Sequence, residues 1–199
     1  MKVLITGFEP FGGYTENVSW VVTKEVAAQG VSGVEIATAL MPVSFERVAE
    51  ELRDALKKHR PNLIIMLGQS GGSEHIKLER IAINMMDSKL SDNDNYTPNE
   101  EPIYPEAPAA LFTNLSIKSL CKAIEGQDIA VKISNSAGLY VCNRIYYESL
   151  MLCKEYTQMK AIFVHLPLFE GQPSAKPGKP QMALCDMVKA IQTIIDEVV

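Results

Sequence analysis

The 199-residue sequence has no run of basic residues, no long hydrophobic run and no closely spaced cysteine pair. Each absence removes a class of function. The net charge is −5, so a nucleic-acid partner is not expected. The N-terminal apolar run, Val3-Leu4-Ile5, is far too short for a signal segment or a membrane span. It reads as a first strand, and a cytoplasmic protein with no membrane partner is expected. The cysteines at 121, 142, 153 and 185 show no CxxC spacing, and a reducing cytoplasm disfavours disulfides. The histidines at 59, 75 and 165 form no HExxH and no Cys/His cluster, so no metal is expected. A GxGxxG phosphate loop is also missing. The loop after the first strand reads TGFEPFGG; it carries Phe8 and Phe11, and Pro10 removes an amide donor that a phosphate would use. No repeat or linker divides the chain, so one domain over residues 1–199 is expected. A chain of this length buries about 70% of its unfolded surface.

Alternating strand and helix patterns fill the chain. Residues 2–6, 34–40, 63–67 and 129–133 read as strands, and 161–167 as a strand ending at Pro167. Helices are expected from Asn17 to Gln29, closed by Gly30, and from a Ser44 cap to about His59. Further helices are expected over about 108–124, 139–156 and the C-terminus. The stretch HIKLERIAINM looks extended, with Ile81, Ile83 and Met85 alternating on one side. Residues 87–107 are polar with three prolines and read as a long functional loop. Tyr96, Ile103 and Tyr104 within it fit either a subunit interface or packing onto the same domain. Residues 170–181 read as loop. This order argues for a single three-layer α/β/α domain with a mostly parallel central sheet. In such folds ligands sit at the carboxyl ends of strands. The Phe8/Phe11 loop, the GQSGG loop, the SNSAG turn and His165 are all expected there.

Three side chains carry possible chemistry. Cys142 falls in the first turns of a helix, where amides and the helix dipole favour a thiolate. A cysteine there also packs well as a small apolar residue. His165 is the only histidine inside an apolar strand; it fits a hydrogen-bonded core residue or the base for a cysteine nucleophile. Glu79 in LERIAIN is expected on the face of Ile81 and Ile83, where a carboxylate is costly unless partnered. It reads as a strand-edge salt bridge or as the group that orients a histidine. His59 in KKHR is expected in solvent.

The motifs GFEPFGG, LERIAIN, SNSAGLYVCN and FVHLP occur in order, and together they resemble the pyroglutamyl peptidase type I, or pyrrolidone-carboxylate peptidase, family of cysteine peptidases. The similarity runs from about residue 3 to residue 170, and the cysteine motif is its most specific part. The resemblance implies a phosphorylase/hydrolase-like fold, homodimers or homotetramers, no cofactor, and N-terminal pyroglutamyl peptides as substrates. It implies Cys142 as nucleophile, His165 as base and Glu79 as the acid of a triad. The substrate is a small neutral lactam, and two phenylalanine rings suit its faces. Phe8 and Phe11 are therefore expected to wall the pocket, with Asn17, Gln69, Tyr140 and Val141 completing it. The sequence departs from the family in two places. LGQSGGS has Ser70 and Ser73 where an alanine and an arginine are usual, and DSKLSDN has Lys89 for an arginine. Lysine keeps the charge without the bidentate fork. Backbone amides at the Cys142 helix start, helped by Lys89, are the expected oxyanion donors. Rival readings are a nucleotide-binding enzyme of similar fold, or a binding protein that kept the pocket without the rate.

Overall fold

The computed structural model describes residues 1–173 and 177–199. Strand β1 (Lys2–Phe8) is buried from Val3 onward and is followed by helix α1 (Val18–Gln29). Asn17 caps α1: its Oδ1 accepts from the Ser19 amide at 3.1 Å, and Gly30, at φ 72°, closes the other end. Next come β2 (Glu35–Met41), α2 (Arg47–His59) and β3 (Leu63–Gln69). Ser44 Oγ accepts from the Arg47 amide, one turn before α2, and Arg60 in the left-handed region ends that helix ahead of Pro61. The chain continues through β4 (Ile76–Glu79), β5 (Ile81–Ile83), β6 (Ala110–Phe112), α3 (Ile117–Glu125), β7 (Val131–Ser134), α4 (Val141–Glu155) and β8 (Lys160–Leu166). It ends with β9 (Leu168–Phe169), β10 (Gln181–Met182) and α5 (Leu184–Val198).

Six strands form the central sheet in the order β2-β1-β3-β8-β4-β7. The first four are mutually parallel, β4 runs antiparallel to β8, and β7 runs parallel to β4. Alternate residues feed two cores. Val3, Ile5, Leu63 and Ile65 pack under α1, α3 and α5, while Leu4, Ile64, Met66 and Phe163 pack under α2 and α4. This is the expected three-layer α/β/α arrangement with a mostly parallel sheet.

Several local expectations are corrected. HIKLERIAINM is not one strand. It breaks after Glu79: β4 stays in the central sheet, and β5 leaves to pair antiparallel with β6. Glu79 therefore does not share a strand face with Ile81 and Ile83. Residues 110–112, expected in a helix, are the β6 strand. Long-range bonds hold them: Thr113 N donates to Arg80 O at 3.0 Å, and Asn84 N to Ala109 O at 2.8 Å. Helix α3 starts only at Ile117. The stretch read as loop at 170–181 is loop up to its last residue, Gln181, which opens β10 and pairs with β9; residues 174–176 of it lie outside the described residues. Because β7 runs against β1, β3 and β8, the SNSAG turn leaves the sheet toward the opposite edge, and residues 135–140 carry the chain back to Cys142. His59 is half-buried, and burial, with Lys58 and Lys2 nearby, lowers its pKa. Tyr96, Ile103 and Tyr104 pack onto their own chain. Ile103 is 8% exposed, and Tyr104 OH donates to Glu148. No helix among the described residues is long and apolar enough to cross a membrane.

Candidate active site

The pairing of β3, β8 and β4 assembles the site. His165 lies directly opposite Gly68 on one side and Lys77 on the other. Glu79 is paired with Phe163, two residues before His165, so Glu79 and His165 are diagonal neighbours on one face. Glu79 Oε1 and His165 Nδ1 lie 2.9 Å apart. Glu79 is fully buried, and His165 is 8% exposed. The backbone carbonyl of Glu79 accepts from Tyr146 OH of α4 at 2.8 Å, which fixes that end of β4. The other carboxylate oxygen, Oε2, is buried without a partner among the described residues.

Cys142 is the second residue of α4 and is half-buried. Its Sγ stands over Gly68: a Cβ at that glycine would lie 3.1 Å from the sulfur and 2.7 Å from Phe163 Cζ. Only a residue without a side chain leaves this space open. Burial by itself opposes charge on His165. The negative charge and hydrogen bond of Cys142, then those of Glu79, outweigh it and raise the imidazole pKa to about 9. Asn143 anchors the start of α4. Its Nδ2 donates to Ile83 O at 2.8 Å and Met85 O at 2.9 Å, and its Oδ1 accepts from Ile83 N at 2.9 Å. The Val141 and Cys142 amides have no acceptor among the described residues. They are the free donors every helix start offers.

A narrow pocket opens beside the thiol. Phe8, Phe11, Asn17, Gln69, Tyr140 and Val141, all singled out from the sequence, line it. The Phe11 and Tyr140 rings stand 6.1 Å apart, and Phe45 packs edge-on to Tyr140 at 5.2 Å. Asn17 ties the wall together: Nδ2 donates to Glu9 O, and Oδ1 accepts from Ser19 Oγ. Gln69 Oε1 accepts from Val18 N and from Gln172 Nε2, the latter at 2.7 Å. Gln172 and Val43 were not picked out from the sequence. Gln172 sits in a polar Pro/Gly loop without any motif, and no local signal shows that it is buried. A wider groove lies at the opposite edge between the ends of α2 and α4; it holds none of the candidate residues. Lys89 is exposed, and no hydrogen bond or ion pair among the described residues joins it to the triad. Ser73 is buried in a turn and donates to His75 O. No group of residues suited to a metal occurs among the described residues.

Fold and site together define an α/β/α protein with a cysteine, a histidine and a glutamate gathered beside an aromatic-walled pocket. Comparison with known proteins takes this a step further. The profile of the pyroglutamyl peptidase family matches residues 1–199. A pyrrolidone-carboxylate peptidase of Thermococcus onnurineus is 43% identical over 196 residues, covering 98% of this chain and 97% of its own. One from Lactobacillus johnsonii is 38% identical over 200 residues, covering 100% of this chain and 93% of its own. Among solved structures, the pyrrolidone carboxyl peptidase of Fervidobacterium islandicum superposes with a TM-score of 0.94 at 35% identity, over 100% of this chain and 98% of that one. That of Thermococcus litoralis gives 0.92 at 34%, over 98% and 91%. The chain belongs to the pyroglutamyl peptidase family.

Proposed function

We propose that residues 1–199 form one peptidase domain that removes pyroglutamate from the N-terminus of peptides through a thioester on Cys142. The observation that carries this is the 2.9 Å His165–Glu79 pair beside a thiol that opens onto an aromatic pocket. The lactam lies between Phe8, Phe11 and Tyr140, with its polar edge toward Asn17 and Gln69. A free amino terminus is excluded, because an ammonium buried among rings without a counter-charge is costly.

In this scheme Cys142 gives its proton to His165, whose raised pKa favours the imidazolium. The sulfur attacks the pyroglutamyl carbonyl carbon. The Val141 and Cys142 amides receive the oxyanion; Lys89, in its exposed position, is left out. The C–N bond breaks as His165 returns the proton to the leaving amine. His165 then takes a proton from water, the hydroxide oxygen attacks the thioester, and pyroglutamate leaves as the thiol is restored. Glu79 holds the imidazole in one orientation and tautomer. No metal or organic cofactor enters. A cytoplasmic location suits the four unbridged cysteines. A homodimer or homotetramer belongs to the same reading.

The test is release of a fluorescent amine from pyroglutamyl-aminocoumarin, beside the prolyl and alanyl compounds, with and without iodoacetamide. Release from the pyroglutamyl compound alone, abolished by the alkylator and by Cys142→Ser, is expected. Turnover by Cys142→Ser at the parent rate would remove the nucleophile assignment. Absence of release from every substrate would remove the peptidase reading.

A further inference from the structure

The sheet sets four residues in one rank across the molecule: Gly68 on β3, His165 on β8, Lys77 on β4 and Lys132 on β7. Residues in register across neighbouring strands share a face, so all four side-chain positions point toward the α4 side, as Glu79 and Phe163 do. The rank has a direction. The aromatic pocket lies at its β1 and β3 end, the thiol stands over Gly68, and the imidazole comes next. Lys77 and Lys132 follow beyond the imidazole. Lys77 Nζ donates to Ser70 Oγ at 2.9 Å. Ser70 lies just past the end of β3, and its amide extends the ladder to Leu166 O at 2.7 Å. The Lys77–Ser70 bridge therefore crosses β8 on the open side of His165.

Resting on the peptidase reading above, we propose that Lys77, Lys132 and Ser70 form a cationic shelf that receives a carboxylate on the departing peptide, either an acidic second residue or the C-terminus of a dipeptide. With the lactam ring in the pocket and the scissile bond over Cys142 and His165, the departing chain extends along the rank over β4 and β7. Two like charges side by side on adjacent strands repel. Neither lysine forms an ion pair with a carboxylate among the described residues, and the nearby Glu79 directs its bonded oxygen to His165. Lys77 is half-buried and tethered, while Lys132 is exposed on the edge strand. An anion between them removes the repulsion and gains both attractions.

The experiment compares kcat/KM for pyroglutamyl-glutamate amide, pyroglutamyl-glutamine amide and pyroglutamyl-lysine amide. It also compares pyroglutamyl-alanine with its amide, and uses pyroglutamyl-aminocoumarin as the reference for chemistry. At low salt the glutamate amide should exceed the glutamine amide about fivefold, with the lysine amide lowest. The free alanine peptide should exceed its amide by a similar factor if the shelf reaches a C-terminus. Both ratios should shrink as salt rises. Lys77→Met with Lys132→Met should bring them to about one. Equal values for the three amides and for the two alanine peptides, with aminocoumarin still released, would overturn the shelf and leave the peptidase reading standing. Ratios that survive unchanged in high salt or in the double variant would do the same. Failure to release aminocoumarin would overturn the peptidase reading and the shelf with it.

Discussion

Gly68 is the residue on which the site is most finely balanced. It must be empty of side chain because Phe163 and Cys142 already occupy the space where a Cβ would go. Gly68→Ala should cost about 1–3 kcal/mol of stability through overpacking. It should also lower kcat, since the sulfur and the imidazole cannot both keep their places; thermal melting and aminocoumarin release measure the two effects. At His165 the decisive quantity is the proton. Its pKa is raised, so the imidazolium persists until the pH nears about 9. A histidine held above its unfolded pKa of about 6.5 adds stability that is full below that value and lost as the pH climbs through the folded value. The pH–rate profile should accordingly fall on its alkaline side near 9, where the imidazolium can no longer protonate the leaving amine. Glu79→Gln removes one of the two anions that hold the proton, so this limb should move to lower pH and kcat should fall more than KM rises. A limb that stays in place would return Glu79 to a structural role.

At the level of elements, α4 must arrive at β3 with its second residue over Gly68. Asn143 decides this. Fully buried, it spends its whole amide on the Ile83 and Met85 backbone, two bonds to β5 outside the central sheet and one to the segment just after it. Asn143→Ala would leave the half-buried Ile83 N–H and the Ile83 and Met85 carbonyls short of partners. A loss of about 2–3 kcal/mol in denaturant unfolding is expected, from about 1 kcal/mol per bond, together with a slower reaction with iodoacetamide or substrate. Asn143 also marks where sequence reading stops. Cys142, His165 and Glu79 were legible because each sits in a distinctive motif, and the aromatic pocket because Phe8 and Phe11 are out of place in a phosphate loop. The purpose of Asn143, next to Cys142 in the same motif, was not, because its partners lie some sixty positions away. The β5–β6 ribbon was missed for the same reason. Ala109 and Ala110 favour helix locally, and only the pairing of Ile83 with Ala110 makes the segment extended. Gln172 had no local signal at all; its burial against Gln69 depends on a contact 103 residues distant.

Across the whole molecule, one buried carboxylate joins parts that the sheet does not. Glu148 of α4 is 1% exposed. It accepts from Arg144 Nη1 at 2.9 Å, pairs with Arg53 Nη2 of α2 at 2.6 Å, and takes the hydroxyl of Tyr104 from the long 87–107 loop. The Arg144 guanidinium also lies 5.3 Å from the centre of the Tyr104 ring. Asn84 holds the same loop from the other side, donating to Tyr104 O and Ala107 O and accepting from Tyr104 N. The loop is therefore a packed strap over α4, and its prolines stiffen a path that the Glu148 node closes. Removing the carboxylate leaves Arg144, itself only 9% exposed, as an uncompensated buried charge. Breaking one side of such a pair costs about 3–5 kcal/mol. At this chain length each kcal/mol moves the melting midpoint by about 2–4 °C, so Glu148→Ala should melt roughly 6–20 °C below the parent. Glu148→Gln, which keeps the shape and one acceptor, should lose less. Because the node touches neither the thiol nor the pocket, both variants should still turn over pyroglutamyl-aminocoumarin when assayed well below their melting temperatures. Loss of turnover in a variant that remains folded by circular dichroism would mean that the strap also sets the position of Cys142. Unchanged melting would mean that Arg144 finds another partner and that the loop does not depend on this node.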